Sequence, residues 1–115
     1  MEPLKIQIVN VIGDVYAVEA EDGQKIYNLI TKAFAEKQRV NISFQNIEML
    51  TTAFLNTAIG QLYKDNSEEF IKENLSVSDI SDSGIVSLKR VVDTAKLYFK
   101  DSEALQRNNN DILED

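Results

Sequence analysis

Apolar and polar residues take turns near the start of the chain: Leu4, Ile6 and Ile8 alternate with Lys5 and Gln7. A period of two sends successive side chains to opposite faces of an extended chain, so residues 4–12 predict a β-strand. Gly13-Asp14 follows, and then VYAVEA. Glycine first in a two-residue loop suits a type II′ turn, which makes residues 4–20 a predicted β-hairpin ended by Asp22-Gly23. The period then changes. Ile26, Leu29, Ile30, Ala33 and Phe34 fall at helical spacing, predicting a helix over 24–37 with Asp22 as its N-cap. Residues 39–45 alternate strictly again, with Val40, Ile42 and Phe44 against Asn41, Ser43 and Gln45. A parallel strand covered on both faces reads as apolar throughout, so this alternation predicts a sheet with helices mainly on one face.

A second helix is expected over about 51–64, burying Phe54, Leu55, Ala58, Ile59 and Leu62. Gly60 lies inside it at a cost of about 1 kcal/mol relative to Ala, which suggests a close approach to a sheet or partner. Residues 67–73 suggest a short helical turn capped by Ser67, and the alternation of LSVSDI predicts a strand over 75–80. The last helix, 83–100, carries the stripe Ile85, Leu88, Val92, Ala95 and Phe99, with Val91 and Tyr98 beside it. Ser81, Asp82 and Ser83 are all acceptable caps for it. From Asp101 the stripe ends, and the Asn run and acids predict a disordered acidic tail over 101–115. The expected fold is α/β: one domain over residues 1–100, with a four-stranded mixed sheet, an N-terminal hairpin and then parallel strands joined by helical crossovers. The first strand is expected to run antiparallel at or near an edge.

Composition narrows the chemistry. The chain has 115 residues, no Cys and no His, which removes disulfides, thiolate chemistry and the commonest general base and transition-metal ligand. Net charge is −7, and much of it sits in the tail, where Asp101, Glu103, Asp111, Glu114 and Asp115 face only Arg107. Beyond Lys89-Arg90 there is no basic cluster, so direct nucleic-acid binding is disfavoured. Neither a membrane-spanning stretch nor a signal-peptide pattern is present, and a cytoplasmic protein is expected.

Hydroxyls and carboxylates remain as candidates. Thr51 and Thr52 stand where a strand-and-turn segment enters a helix, and either can be an N-cap. A phosphate added there would meet unpaired N–H groups and add about two negative charges to the surface. Capping and phosphate acceptance are compatible if one Thr does each. Glu68, Glu69 and Glu73, and Asp79 with Asp82, match no metal-binding loop and suggest surface charge. Asp79 lies near a strand end, where ligand sites of α/β proteins form. Nothing resembles a nucleophile–base pair, so a protein without enzymatic activity, metal or cofactor is expected.

FQNIEMLTTAFLNTAIGQLY resembles the signature of the STAS-like family, small bacterial and phage-borne domains related to STAS domains. The latter are the fold of anti-sigma-factor antagonists and of sulfate-transporter tails. Phe44, Ile47, Thr51, Thr52, Ala53, Phe54 and Leu55 match the run in which an acceptor Ser or Thr opens a helix. DGQKIYNLITKAF before it and LKRVVDTAKLYF after it extend the resemblance over roughly residues 4–100. In the antagonists the acceptor is phosphorylated by a partner kinase of the GHKL ATPase type, and the unphosphorylated form binds that partner through the following helix. By position the resemblance makes Thr52 the acceptor. Thr51 stands where Asp is usual and Phe54 where Gly is usual. VSDISDSGIVSL also looks like the motif through its DSG, which makes Ser83 the runner-up. Only one helix and the tail follow Ser83, whereas the fold needs a further strand and helix after the acceptor.

The resemblance implies a regulatory protein-binding module. Its contact face would comprise Thr51, Thr52, Asn56, Thr57 and Gln61, helped by the loop at 81–84, with phosphorylation control at Thr52 and a GHKL-type ATPase or kinase as partner. Polar positions on that face suit a reversible interface. Two other classes are compatible with the sequence. One is an acidic inhibitor from a mobile element, blocking a basic nucleic-acid-binding surface with its tail. The other is a ligand sensor at the sheet's carboxyl edge. The oligomeric state is left open, a homodimer included.

Overall fold

A computed structural model describes residues 2–114, with the side chains of 2–99. The expectation for the tail falls outside the residues whose side chains are described. Strand β1 (Leu4–Gln7) runs straight into a five-residue helix, α1 (Ile8–Ile12). Its sequence, IVNVI, favours strand by propensity, but Ile8 is fully buried and Gly13 closes the turn. Gly13 sits at φ 70°, a left-handed conformation that glycine adopts without steric cost, and its N–H bonds to the Val9 carbonyl at 3.0 Å. The glycine expected to turn a hairpin therefore ends a helix, and residues 4–20 form no hairpin.

Strand β2 (Tyr16–Ala17) follows, then α2 (Ala20–Ala35). Helix α2 starts earlier than expected, with Glu19 at the cap position. Asp22 lies in the first turn, where its charge suits the helix dipole, and pairs with Lys25 at 3.3 Å. Next come β3 (Val40–Ser43) and β4 (Met49–Leu50). The helix expected over 51–64 is broken into α3 (Thr52–Leu55), a π turn (Asn56–Gly60) and α4 (Leu62–Asp65). Then follow α5 (Glu68–Asn74), β5 (Leu75–Ser78) and α6 (Asp82–Glu114). Ser67 caps α5 as expected, accepting the Phe70 N–H at 3.1 Å.

The main sheet has three strands in the order β1-β3-β5, all parallel. Ile6, Ile42 and Val77 form one cross-strand row, and Lys5, Asn41 and Ser76 another. The first row faces the helices. On the other face Asn41 donates to Ser76 at 2.9 Å and accepts from Ser78 at 3.0 Å, a polar ladder. Helices on one face and parallel crossovers agree with the sequence pattern. The expected single four-stranded mixed sheet does not: β2 pairs parallel with β4 in a separate two-stranded sheet, Tyr16 against Met49 and Ala17 against Leu50.

The segment 52–65 packs between α2 and α6. Phe54, Leu55 and Leu62 are fully buried there, among Ile26, Ile30 and Ile42. Close approach is set by Gly23 rather than Gly60. A methyl group on Gly23 would lie 2.6 Å from the Phe54 carbonyl oxygen, whereas one on Gly60 would meet nothing nearer than Val91 at 3.5 Å. Helix α5 docks edge-on, with the Phe70 ring 5.1 Å from Phe34. No helix among the described residues is long and apolar enough to cross a membrane.

Candidate functional site

Two adjacent threonines have different surroundings. Thr51 has extended backbone and caps α3: its Oγ1 accepts the Phe54 N–H at 3.2 Å and donates to the Val18 carbonyl at 2.8 Å. Both capacities of that hydroxyl are in use, and its residue is half-buried. Thr52 is the first helical residue and is exposed, as are Ala53 and Asn56 beyond it. Thr57 and Gln61 turn toward α2 and are half-buried. Thr57 donates to the Ala53 carbonyl at 3.1 Å, and Gln61 donates to the Thr57 carbonyl at 2.8 Å and to Gln24 at 3.1 Å. Of the residues expected on the contact face, Thr52 and Asn56 are open to solvent, while Thr51, Thr57 and Gln61 also hold the helix in place.

A crevice of about 410 Å³ opens at the carboxyl end of β3 and β5. Its walls are the segment from Phe44 after β3 to Leu50 in β4, and the loop from Asp79 into α6. Leu50 ends one wall, so the crevice reaches the residue before Thr51. Two non-glycine residues in its lining are left-handed, Asn46 at φ 67° and Asp79 at φ 58°. Asp79 is held by Ser43, the one fully buried polar side chain among those described, whose Oγ donates to Asp79 Oδ2 at 3.0 Å. Ser81 caps α6 through the Gly84 N–H at 3.1 Å, and Ser83, the runner-up acceptor, lies exposed in the crevice wall 3.3 Å from Ser81 Oγ. Asp79 was marked by its position at a strand end. Ser43, Asn46 and Glu48 were not, because polar residues on an alternating strand and in a turn look like ordinary surface.

Charge perturbation lies elsewhere. Lys96 holds its proton more tightly than usual, chiefly through its hydrogen bond to Glu68 at 2.8 Å. The Tyr63 phenol is also pushed up, chiefly by burial. Both belong to the α4–α5–α6 flank. Among the described residues no group of three acidic side chains converges to hold a metal.

A parallel three-stranded sheet with helices on one face, and a Thr-capped helix, fit a small α/β module of the STAS-like kind. The chain belongs to the family described as STAS-like domain of unknown function (DUF4325), whose model matches residues 22–84, from the first turn of α2 to the first turn of α6. No curated protein and no solved structure matches the chain.

Proposed function

We propose that the protein is a non-enzymatic regulatory module that docks a protein partner through the surface around Thr52. The observation that carries this is the division of labour between the two threonines. Thr51 does the capping, so the Thr52 hydroxyl is exposed and free of any partner among the described residues. A phosphate placed on it would put about two negative charges on a surface otherwise formed by Ala53 and Asn56, without disturbing the cap. Membership in a STAS-like family supports a regulatory role, and the resemblance to the antagonists supports a GHKL-type ATPase or kinase as the partner class. The loop at 81–84, across the crevice, is the second lip of the docking surface.

The test compares wild type with Thr52→Ala, Thr52→Asp and Asn56→Arg as baits in extract of the source cell, with ATP present. A partner retained by wild type and Thr52→Ala, and lost by Thr52→Asp and Asn56→Arg, is expected. Phosphate mapped to Thr52 by mass spectrometry would add the switch. Capture indifferent to all three substitutions, with the fold intact, would place docking elsewhere.

A further inference from the structure

Helix α6 carries apolar residues on two sides. Gly84, Val91 and Ala95 are buried against the domain. On the opposite side Val86 is 59% and Leu97 61% exposed. Between them on the same stripe stand Arg90 and Asp93, both exposed, with Lys89 at the shoulder. The spacing of Val86, Arg90, Asp93 and Leu97 is four, three and four, the heptad seam by which one helix packs on another. These residues wall a shallow groove along α6. Lys89 and Arg90 take part in no ion pair among the described side chains.

The seam has a symmetry of its own. About the point between Val91 and Val92, Val86 mirrors Leu97 and Arg90 mirrors Asp93. Apolar answers apolar, and base answers acid. When two identical helices run antiparallel, each layer of the seam pairs a residue with its mirror position. Val86 then meets the partner's Leu97, and Arg90 the partner's Asp93, twice over. Lys89 falls on the same side as the partner's Asp93. If the same helices ran parallel, Arg90 would face the partner's Arg90 and Asp93 the partner's Asp93, like against like at the centre. Charged seam positions specify register and orientation at a cost in stability.

We propose that α6 is the seam of a homodimer, two copies of this chain pairing antiparallel across Arg90 and Asp93. The interface is isologous, so it closes on itself and builds no filament. From Val86 to Leu97 the seam runs only about 17 Å, at roughly 1.5 Å per residue, which suits a small, reversible interface. Its test reads covalent dimer and the docking test reads capture of a partner, so the two proposals fail separately.

The absence of cysteine makes a clean test. Val86→Cys/Leu97→Cys, oxidised at tens of micromolar, is expected to give at least ten times more covalent dimer than either single variant. In the antiparallel pair each new thiol meets its mirror position, and like positions stay apart. Adding Asp93→Arg is expected to cut that yield at least tenfold, and adding Arg90→Asp as well is expected to restore it. Circular dichroism checks that each variant is folded. A double-cysteine variant that stays monomeric overturns the proposal. So does a single Val86→Cys variant that cross-links equally well, which means parallel or random encounter, and so does a charge swap that fails to rescue.

Discussion

The segment that begins at Thr52 and the helix that begins at Asp82 both carry apolar residues at helical spacing, yet they end in different situations. Phe54, Leu55, Ile59 and Leu62 are enclosed between α2, α6 and the sheet. On α6 only the inner stripe is covered, and Val86 and Leu97 face solvent. Periodicity tells which residues share a face. What covers that face is decided by the packing around it, and here one helix is the centre of its layer while the other is the edge. The central helix has little free surface to offer, so the docking region we propose for it is confined to Thr52, Ala53 and Asn56 at one end. The edge helix offers a whole side.

Truncation should separate the two most sharply. Phe54→Ala is expected to lose about 3–5 kcal/mol of stability, because a fully buried ring leaves a cavity. Val86→Ala, in dilute solution, should stay within about 0.5 kcal/mol. Urea denaturation of both variants measures the difference, and similar losses would mean that the outer side of α6 is covered after all.

Glycines sharpen the same contrast at a smaller scale. Gly23→Ala is expected to cost about 1–3 kcal/mol, since the new methyl group meets the backbone of α3. Gly60→Ala has room and removes chain entropy from the unfolded state, so it should be neutral or stabilise by up to about 1 kcal/mol. Melting temperatures of the two variants should therefore move apart. Next in size are the threonines. Thr51→Ala should cost about 1–2 kcal/mol through loss of the cap, and Thr52→Ala close to nothing. Equal effects in denaturation would erase the division between structural and free hydroxyl.

The smallest effect is that of alkaline pH. Tyr63 and Lys96 both hold their protons above their ordinary values of 10.0 and 10.5, Tyr63 chiefly by burial and Lys96 chiefly by its bond to Glu68. A group whose value is raised on folding contributes stability that is complete below the ordinary value and fades as pH climbs through the raised one. Stability should thus fall above about pH 10, and Tyr63→Phe should fall less between pH 9 and 11, read as urea midpoints. Lys96 keeps 34% of its side chain exposed and its partner Glu68 56%, so water screens its share.

Much of this arrangement was legible in the residues. Asn41 and Ser43 break the apolar run of β3, and the sheet does leave that face without helices. Parallel crossovers, the Ser67 cap and the start of the last helix also followed from local pattern, whereas its end, at Glu114 rather than residue 100, did not. The hairpin did not survive, because Gly13 serves a helix end as well as a turn, and only tertiary burial of Ile8 chooses between them. Strands β2 and β4 have two residues each, too few to carry a period, so their pairing was invisible. Gly60 looked like the point of close approach, while Gly23, hidden in what resembled a turn, fills that role. At the candidate site capping was legible as a role for one of the two threonines, and Thr51 fills it. That Thr57 and Gln61 lean on α2 depends on which side the neighbouring helix lies, which one chain segment does not encode.

The Thr51 hydroxyl joins two otherwise separate pieces. Its N–H extends the short sheet to Ala17, its hydroxyl hydrogen reaches Val18, and its oxygen holds the Phe54 amide. Peeling β2 from β4 therefore frays the start of α3 in the same event. In deuterium exchange the amides of Thr51 and Phe54 should open as one cooperative unit, and replacing Thr51 with Val should let the two run at different speeds. A binding event that tightens the Thr52 surface would then be felt as slower exchange in the strand pair behind it.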